Sequence, residues 1–196
     1  MHPDSPLPTH RLPPATLIAQ SRDAQNHPVT FESAAVEVMT DLTSVKAATT
    51  SPSTSLRQAE QTMIYLGVRM LFVVGAMPVI EGLIDVNDLH GERQMRLVQQ
   101  RNLRYDELRV ADVMTELSML DAVDYDAMKT ATVSNVIATL RRHGRAHLLV
   151  ADAVPGQSAR RVRGVVSRTQ VERQLGMPIP MTEVAATLYD VVKMLA

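Results

Sequence analysis

Between Arg141 and Arg173 the chain carries eight arginines (141, 142, 145, 160, 161, 163, 168 and 173) against Asp152 and Glu172, a local charge of +6 in a protein whose formal net charge is −1. A guanidinium stays charged at any working pH and matches phosphate oxygens with a two-pronged fork, so this segment points to an anionic ligand. Arg145 and His147 alternate in a β-rich run, which predicts that they share one face of a strand. Arg168 falls in the first turn of the following helix, where backbone N–H groups also favour anions. Arg69, which opens the similar run Arg69-Met70-Leu71-Phe72-Val73-Val74, reads as the counterpart of Arg145.

Two further groups sit at helix starts. Asp85 and Asp88 are placed as N-cap and third helical residue, and Ser167 with Gln170 has the Ser-x-x-Gln spacing of a capping box. His143 and His147 are four apart, but Gly144 between them ends the helix, so no metal site is read there. Asp121, Asp124 and Asp126 read as a solvated loop. No Gly-Lys pair, no Gly-x-Gly-x-x-Gly and no Gly-x-Ser-x-Gly occurs, which disfavours an NTPase of the P-loop type, a dinucleotide dehydrogenase and an α/β-hydrolase.

The elements that must hold these groups come in duplicate. Val38-Met39-Thr40-Asp41 returns as Val113-Met114-Thr115-Glu116. Each is followed by a short apolar segment and then a helical stripe: Leu56, Ala59, Met63 and Leu66 in one copy, Val133, Val136, Ile137 and Leu140 in the other. Ser55 with Gln58 and Thr132 with Asn135 mark the helix starts, and Gly67 and Gly144 the ends. A β-rich run follows, then a turn, then a second strand in which Gly82 and Gly164 coincide, leading into a second helix. The offset between copies drifts from 75 (Met39 to Met114) through 77 (Gly67 to Gly144) to 82 (Gly82 to Gly164), as loop insertions require. The larger insertion contains Pro155-Gly156, a hairpin-turn signal. Each unit therefore reads β-α-β-β-α in about 60 residues, marginal alone, which predicts an α+β (mixed α/β) fold of two repeats packed through their sheets with pseudo-two-fold symmetry.

The organisation read from the chain is a Pro-rich arm over 1–31, with six of the eleven prolines, a first repeat over 32–92, a linker helix over 93–109, a second repeat over 110–176 and an amphipathic C-terminal helix over 177–196. With 45% apolar residues in 196 the chain can bury a core, and no apolar run approaches the roughly 20 residues that span a bilayer. The absence of cysteine removes disulfides, thiolate nucleophiles and Cys-ligated metals. A soluble, cytoplasmic protein without an export signal is the expectation. Only six aromatics, with no Trp, leave little for stacking on unpaired bases.

The Val-Met-Thr opening, the Ser51–Met63 helix start, Gly67-Val68-Arg69-Met70-Leu71-Phe72-Val73-Val74 and Gly82-Leu83-Ile84-Asp85-Val86-Asn87-Asp88-Leu89 together resemble a cystathionine β-synthase (CBS) domain, and the second copy resembles another. The resemblance spans about residues 34–176. It implies a tandem pair, a Bateman module, that is regulatory rather than enzymatic and often dimeric. Such pairs bind adenosine-containing ligands (AMP, ADP, ATP or S-adenosylmethionine) in the cleft between copies, with no covalent cofactor. The family's ligand-reading motif ends in an Asp whose carboxylate accepts both hydroxyls of a ribose. Here that position is Asp88, with Asp85 replacing the usual hydroxyl residue, and Gln170 in the second copy. The resemblance therefore implies at most one competent site, centred on Asp88, with Asp85, Ser167 and Gln170 at the matching motif positions, while the charge pattern supplies Arg69, Arg145, His147 and Arg168 as candidates for meeting a phosphate tail. The helix-start reading accounts for Asp85, Asp88, Ser167 and Gln170 without a ligand.

Three functions follow from this reading. A nucleotide-sensing module that signals to an effector protein leads, with a homodimer as its assembly. A ligandless dimerisation scaffold with degenerate pockets is the alternative, and nucleic-acid binding through the arginine face ranks last.

Overall fold

A computed structural model describes residues 27–180, apart from Leu103, Pro155, Gln157 and Ser158. The first 26 residues of the arm and the C-terminal segment from Met181 lie outside the described residues. In chain order the first copy supplies β1 (Met39–Asp41), β2 (Thr49–Thr50), α1 (Leu56–Leu66), β3 (Met70–Val74), β4 (Ile80–Asp85) and α2 (Val86–His90). After α3 (Glu92–Arg101) the second supplies α4 (Val110–Val113), β5 (Thr115–Glu116), β6 (Ala122–Asp124), α5 (Tyr125–Thr130), α6 (Val133–His143), β7 (His147–Ala153), β8 (Arg160–Ser167) and α7 (Arg168–Leu175).

The helices start and stop where their end residues dictate. Ser55 Oγ accepts the Gln58 N–H while Gln58 Oε1 accepts the Ser55 N–H, closing a capping box on α1. Asn135 Oδ1 takes the Thr132 N–H in the same way on α6. Both helices end on a left-handed glycine, Gly67 at φ +66° and Gly144 at φ +61°. No atom lies within 4 Å of a Cβ built on Gly67, so any penalty there is conformational alone. Gly67→Ala is expected to lower stability by about 1 kcal/mol, read as a shift of the denaturant midpoint at unchanged m-value.

The fold is α+β, with two four-stranded sheets in the orders β2-β3-β4-β5 and β1-β8-β7-β6. Each sheet centres on its own antiparallel hairpin, β3–β4 or β7–β8, and adds a parallel strand from the same copy. Its fourth strand comes from the other copy. β1 pairs antiparallel with β8, setting Asp41 opposite Gly164, and β5 pairs antiparallel with β4, setting Glu116 opposite Gly82. This exchange of opening strands goes beyond the face-to-face docking that the duplication predicts.

Both faces of the hairpins are buried, so they alternate between two cores. Leu71, Val73 and Ile84 turn to the helix side of the first copy, with Leu56, Ala59 and Met63. Leu148, Val150 and Val166 do the same in the second, with Val133, Val136 and Leu140. The intervening residues Met70, Phe72 and Leu83 face Leu149 and Val165, and this third cluster is the seam between the sheets. Full burial of such a side chain contributes about 1.5–3 kcal/mol, so the seam holds the copies together by area as well as by strand pairing.

α3, which falls largely in the expected linker helix, packs on the first copy. Leu97 and Val98 pack on the first core, and buried Gln94 donates its amide to the Asp88 carbonyl. Among the described residues, no helix is long and apolar enough to cross a membrane.

Candidate functional site

At one end of the seam the copies enclose a cavity of about 450 Å³. One wall is the segment after β1 with the start of β3, contributing Lys46, Arg69 and Phe72; the other is the end of β8 with the first turns of α7, contributing Ser167, Gln170 and Arg173. Thr40, Thr169 and His147 add polar groups, and Leu42, Val45 and Val165 apolar surface. Three permanent cations reach this cavity, while no Asp or Glu is among the described residues that line it. Such a site favours anions, because nothing fixed in its walls offsets the positive charge.

Of the residues singled out by sequence, the cavity thus gathers Arg69, His147, Ser167 and Gln170. Asp88, Asp85, Arg145 and Arg168 do not line it. Asp88 is engaged in the start of α2, where its Oδ2 accepts the Asp85 N–H at 2.9 Å. Asp85 Oδ1 returns the arrangement by accepting the Asn87 and Asp88 N–H groups. The second copy does the reverse. Ser167 stands at the N-cap of α7 but makes no side-chain capping bond, so the capping box expected from Ser167 and Gln170 does not form. Gln170 Oε1 instead accepts Arg173 Nη1 at 3.3 Å.

Arg145 corrects the strand expectation. It precedes β7 and donates to the Met119 carbonyl at 2.9 Å, so it does not share a strand face with His147. The Val86 N–H donates to the Arg69 carbonyl and the Arg168 N–H to the Ala146 carbonyl, which makes Ala146 the counterpart of Arg69. Counting three residues from each helix-ending glycine, to Met70 and to His147, carries that register; matching arginine to arginine misses it by one.

His147 connects the copies. Its side chain is 9% exposed, its Nδ1 is buried without a hydrogen bond, and Asp85 Oδ2 lies 3.7 Å away. Burial pushes the Asp85 carboxyl upward, but the His147 imidazole and the N–H groups of Asp88 and Asn87 outweigh it and hold the group below the usual carboxylate range.

Much of the arginine excess is matched across the fold. Arg160 pairs with Asp124, Arg161 with Asp152 at 2.8 Å, and Arg168 lies 3.8 Å from Glu172. Arg163 forks onto Asp41 of β1, with Nη2 3.0 Å from Oδ2, reaches Asp152, and stacks 4.4 Å from the Tyr125 ring centre. Asp41 is thereby lowered to about 2, chiefly by Arg163 and against the opposing effect of burial, with help from Thr43. In the sequence Arg163 is one of eight arginines with nothing to set it apart; its partner 122 residues away follows from the strand exchange. In the acidic cluster Asp121 faces His143 at 3.6 Å and Asp126 faces Lys129.

What fold and site define together is a duplicated α+β module with an anion-favouring cavity in its seam. No family model matches the sequence, and no curated protein matches it significantly. Solved structures do resemble it. A conserved protein from Pyrococcus horikoshii aligns at 20% identity over 73% of this chain and 92% of its own, with a TM-score of 0.51. CBSX2 in complex with AMP aligns at 20% identity over 72% and 94%, with a TM-score of 0.50. CBSX2 from Arabidopsis thaliana aligns at 20% identity over 74% and 94%, with a TM-score of 0.47. The chain has the fold of a tandem CBS domain pair.

Proposed function

We propose that this CBS pair is a regulatory module that binds an adenine nucleotide in the seam cavity and passes its state to an effector protein, without catalysis of its own. The observation that carries the reading is a cavity between the copies holding Lys46, Arg69 and Arg173 and lined by no described carboxylate. Its volume suits a ligand of nucleotide size. His147, nine-tenths buried on its wall, turns its Nδ1 toward Asp85 Oδ2 at 3.7 Å and so links the cavity to the helix start of the first copy. The AMP complex of CBSX2, a protein of the same fold, supports the adenine nucleotide as the class. Three cations favour AMP, ADP or ATP over the sulfonium of S-adenosylmethionine. Cytoplasmic location and a homodimeric assembly complete the reading as proposals.

The matching of Arg160, Arg161, Arg163 and Arg168 with carboxylates counts against a nucleic-acid face, which needs unneutralised cations for phosphate contacts. Thermal shift with AMP, ADP and ATP tests the proposal, since a ligand at one hundred times its Kd stabilises by about 2.7 kcal/mol. Arg69→Ala and Arg173→Ala are each expected to weaken nucleotide binding about tenfold, the loss of a charge-assisted contact to phosphate. Asp88→Ala is expected to leave affinity unchanged and lower stability by about 0.5–1 kcal/mol, because its carboxylate serves the start of α2. No shift with any nucleotide at millimolar concentration would leave the ligandless scaffold as the function.

A further inference from the structure

α1 and α6 end alike on a left-handed glycine, Gly67 and Gly144, but their last turns differ in kind. α6 closes with Arg141, Arg142 and His143, and positive charge suits the negative end of a helix dipole. α1 has no basic residue in its last turn and carries Ile64, Tyr65 and Leu66 in the same three places. Ile64 is 74% and Tyr65 88% exposed, so the first copy leaves apolar surface open where the second is charged. A shallow groove runs along this side of α1, lined among the described residues by Thr54, Gln58, Gln61, Thr62, Tyr65 and Leu66, none of them charged. Leu66 also lines the seam cavity, so groove and cavity adjoin.

The chain supplies an occupant from close by. Ile179 is buried on the second core and its N–H donates to Glu172 Oε1 at 3.0 Å, which fixes the point where the chain leaves α7. α7 and the end of α1 line the same cavity, through Gln170 and Arg173 on one side and Leu66 on the other. Sixteen residues follow Pro180, enough for about 24 Å of helix. In them Val184, Leu188, Val191 and Leu195 recur at helical spacing, with Glu183 and Asp190 on the opposite face. We propose that segment 181–196 docks on its own chain along the α1 groove, turning this apolar stripe to Ile64, Tyr65 and Leu66 and bordering the mouth of the cavity. Magnitudes favour the segment over a second copy of the chain. A separate protein needs about 20–30 residues a side for a stable interface, far more than one helix end presents. A tethered segment meets its site at an effective concentration on the order of millimolar, so a small surface suffices.

The chain has no cysteine, which makes disulfide trapping in the full-length protein a direct test. Gln61→Cys puts a thiol in the groove and leaves its apolar residues in place. It is combined in turn with Val184→Cys, Leu188→Cys and Val191→Cys on the stripe, and with Glu183→Cys and Asp190→Cys on the opposite face. Gln61 is exposed, so the groove substitution leaves the core intact, and melting of the reduced proteins checks it. Gel mobility without reductant separates bridges within one chain from bridges between chains. The expected result is that the fastest stripe pair closes within one chain at least about tenfold faster than either opposite-face pair, because docking raises the local concentration of one face only. Equal rates from both faces would describe a tether that sweeps past α1 without docking, and the proposal falls. Bridges mainly between chains would give the groove to a second copy and overturn it as well. Failure of all three stripe pairs to close would leave the groove to an outside partner.

Discussion

Gly82→Ala is expected to destabilise the protein by about 3 kcal/mol, the upper end of what forced overpacking produces. A Cβ at this position would lie 2.3 Å from the Thr115 carbonyl oxygen, 3.1 Å from its carbon and 3.2 Å from Glu116 Cα. All three atoms are backbone of β5, the strand that the second copy lends to the first sheet, so no side-chain rotation relieves the clash. The strand must move, and its ladder bonds to β4 are lost with it. Gly164 occupies the equivalent place opposite β1, but its Cβ would meet mainly Met39, with Sδ at 2.5 Å and Cγ at 2.7 Å. A methionine end is flexible, and only the Thr40 carbonyl oxygen at 3.0 Å is rigid. Gly164→Ala is therefore expected to cost about 1 kcal/mol, in the range of a mild overpacking. Urea melts of the two variants side by side give the comparison. Equal losses would mean that the lent strands do not set the tolerance at these glycines.

Those two glycines also show how far the sequence is legible. Their coincidence in the two copies is plain in the residue order, as are the capping pairs, the helix-ending glycines and the alternating apolar runs, because each is fixed by contacts within about ten residues. The reason for the glycines is not, because it lies in a strand more than thirty positions away for Gly82 and more than a hundred for Gly164. The same distance hid the Arg163–Asp41 pair. The site divides in a similar way. Asp85 and Asp88 were readable as a helix start, and they are one. Ser167 and Gln170 carry the same local signal yet form no box. Local spacing states what a helix start permits, and the same spacing yields a cap at Asp85 and Asp88 but cavity-lining side chains at Ser167 and Gln170.

Arg163→Met should lower stability at neutral pH by about 2 kcal/mol, the value of a charge-assisted fork to a half-buried carboxylate. The substitution preserves the apolar stem and removes at once the contacts to Asp41 and Asp152 and the guanidinium over Tyr125. The depression of Asp41 from 3.8 to about 2 caps its linked contribution near 2 kcal/mol. Side-chain exposures of 26% for Asp41 and 22% for Arg163 leave some of that to solvent screening. The sign follows from the direction of the shift: with the folded value below the unfolded one, the contribution is complete above about pH 4 and drains away as pH falls through about 2. Asp85, also lowered, acts the same way in both proteins and cancels from the difference, whereas Asp152, held low by Arg161 and in part by Arg163, loses some of that support in the variant and adds to the same acid-side change. Denaturant melts at pH 7, 4, 3 and 2 should therefore show the gap between variant and parent holding to about pH 4 and then shrinking by at least about half. A gap of constant size down to pH 2 would assign the loss to packing on Tyr125, and the strap between β1 and β8 would owe nothing to charge.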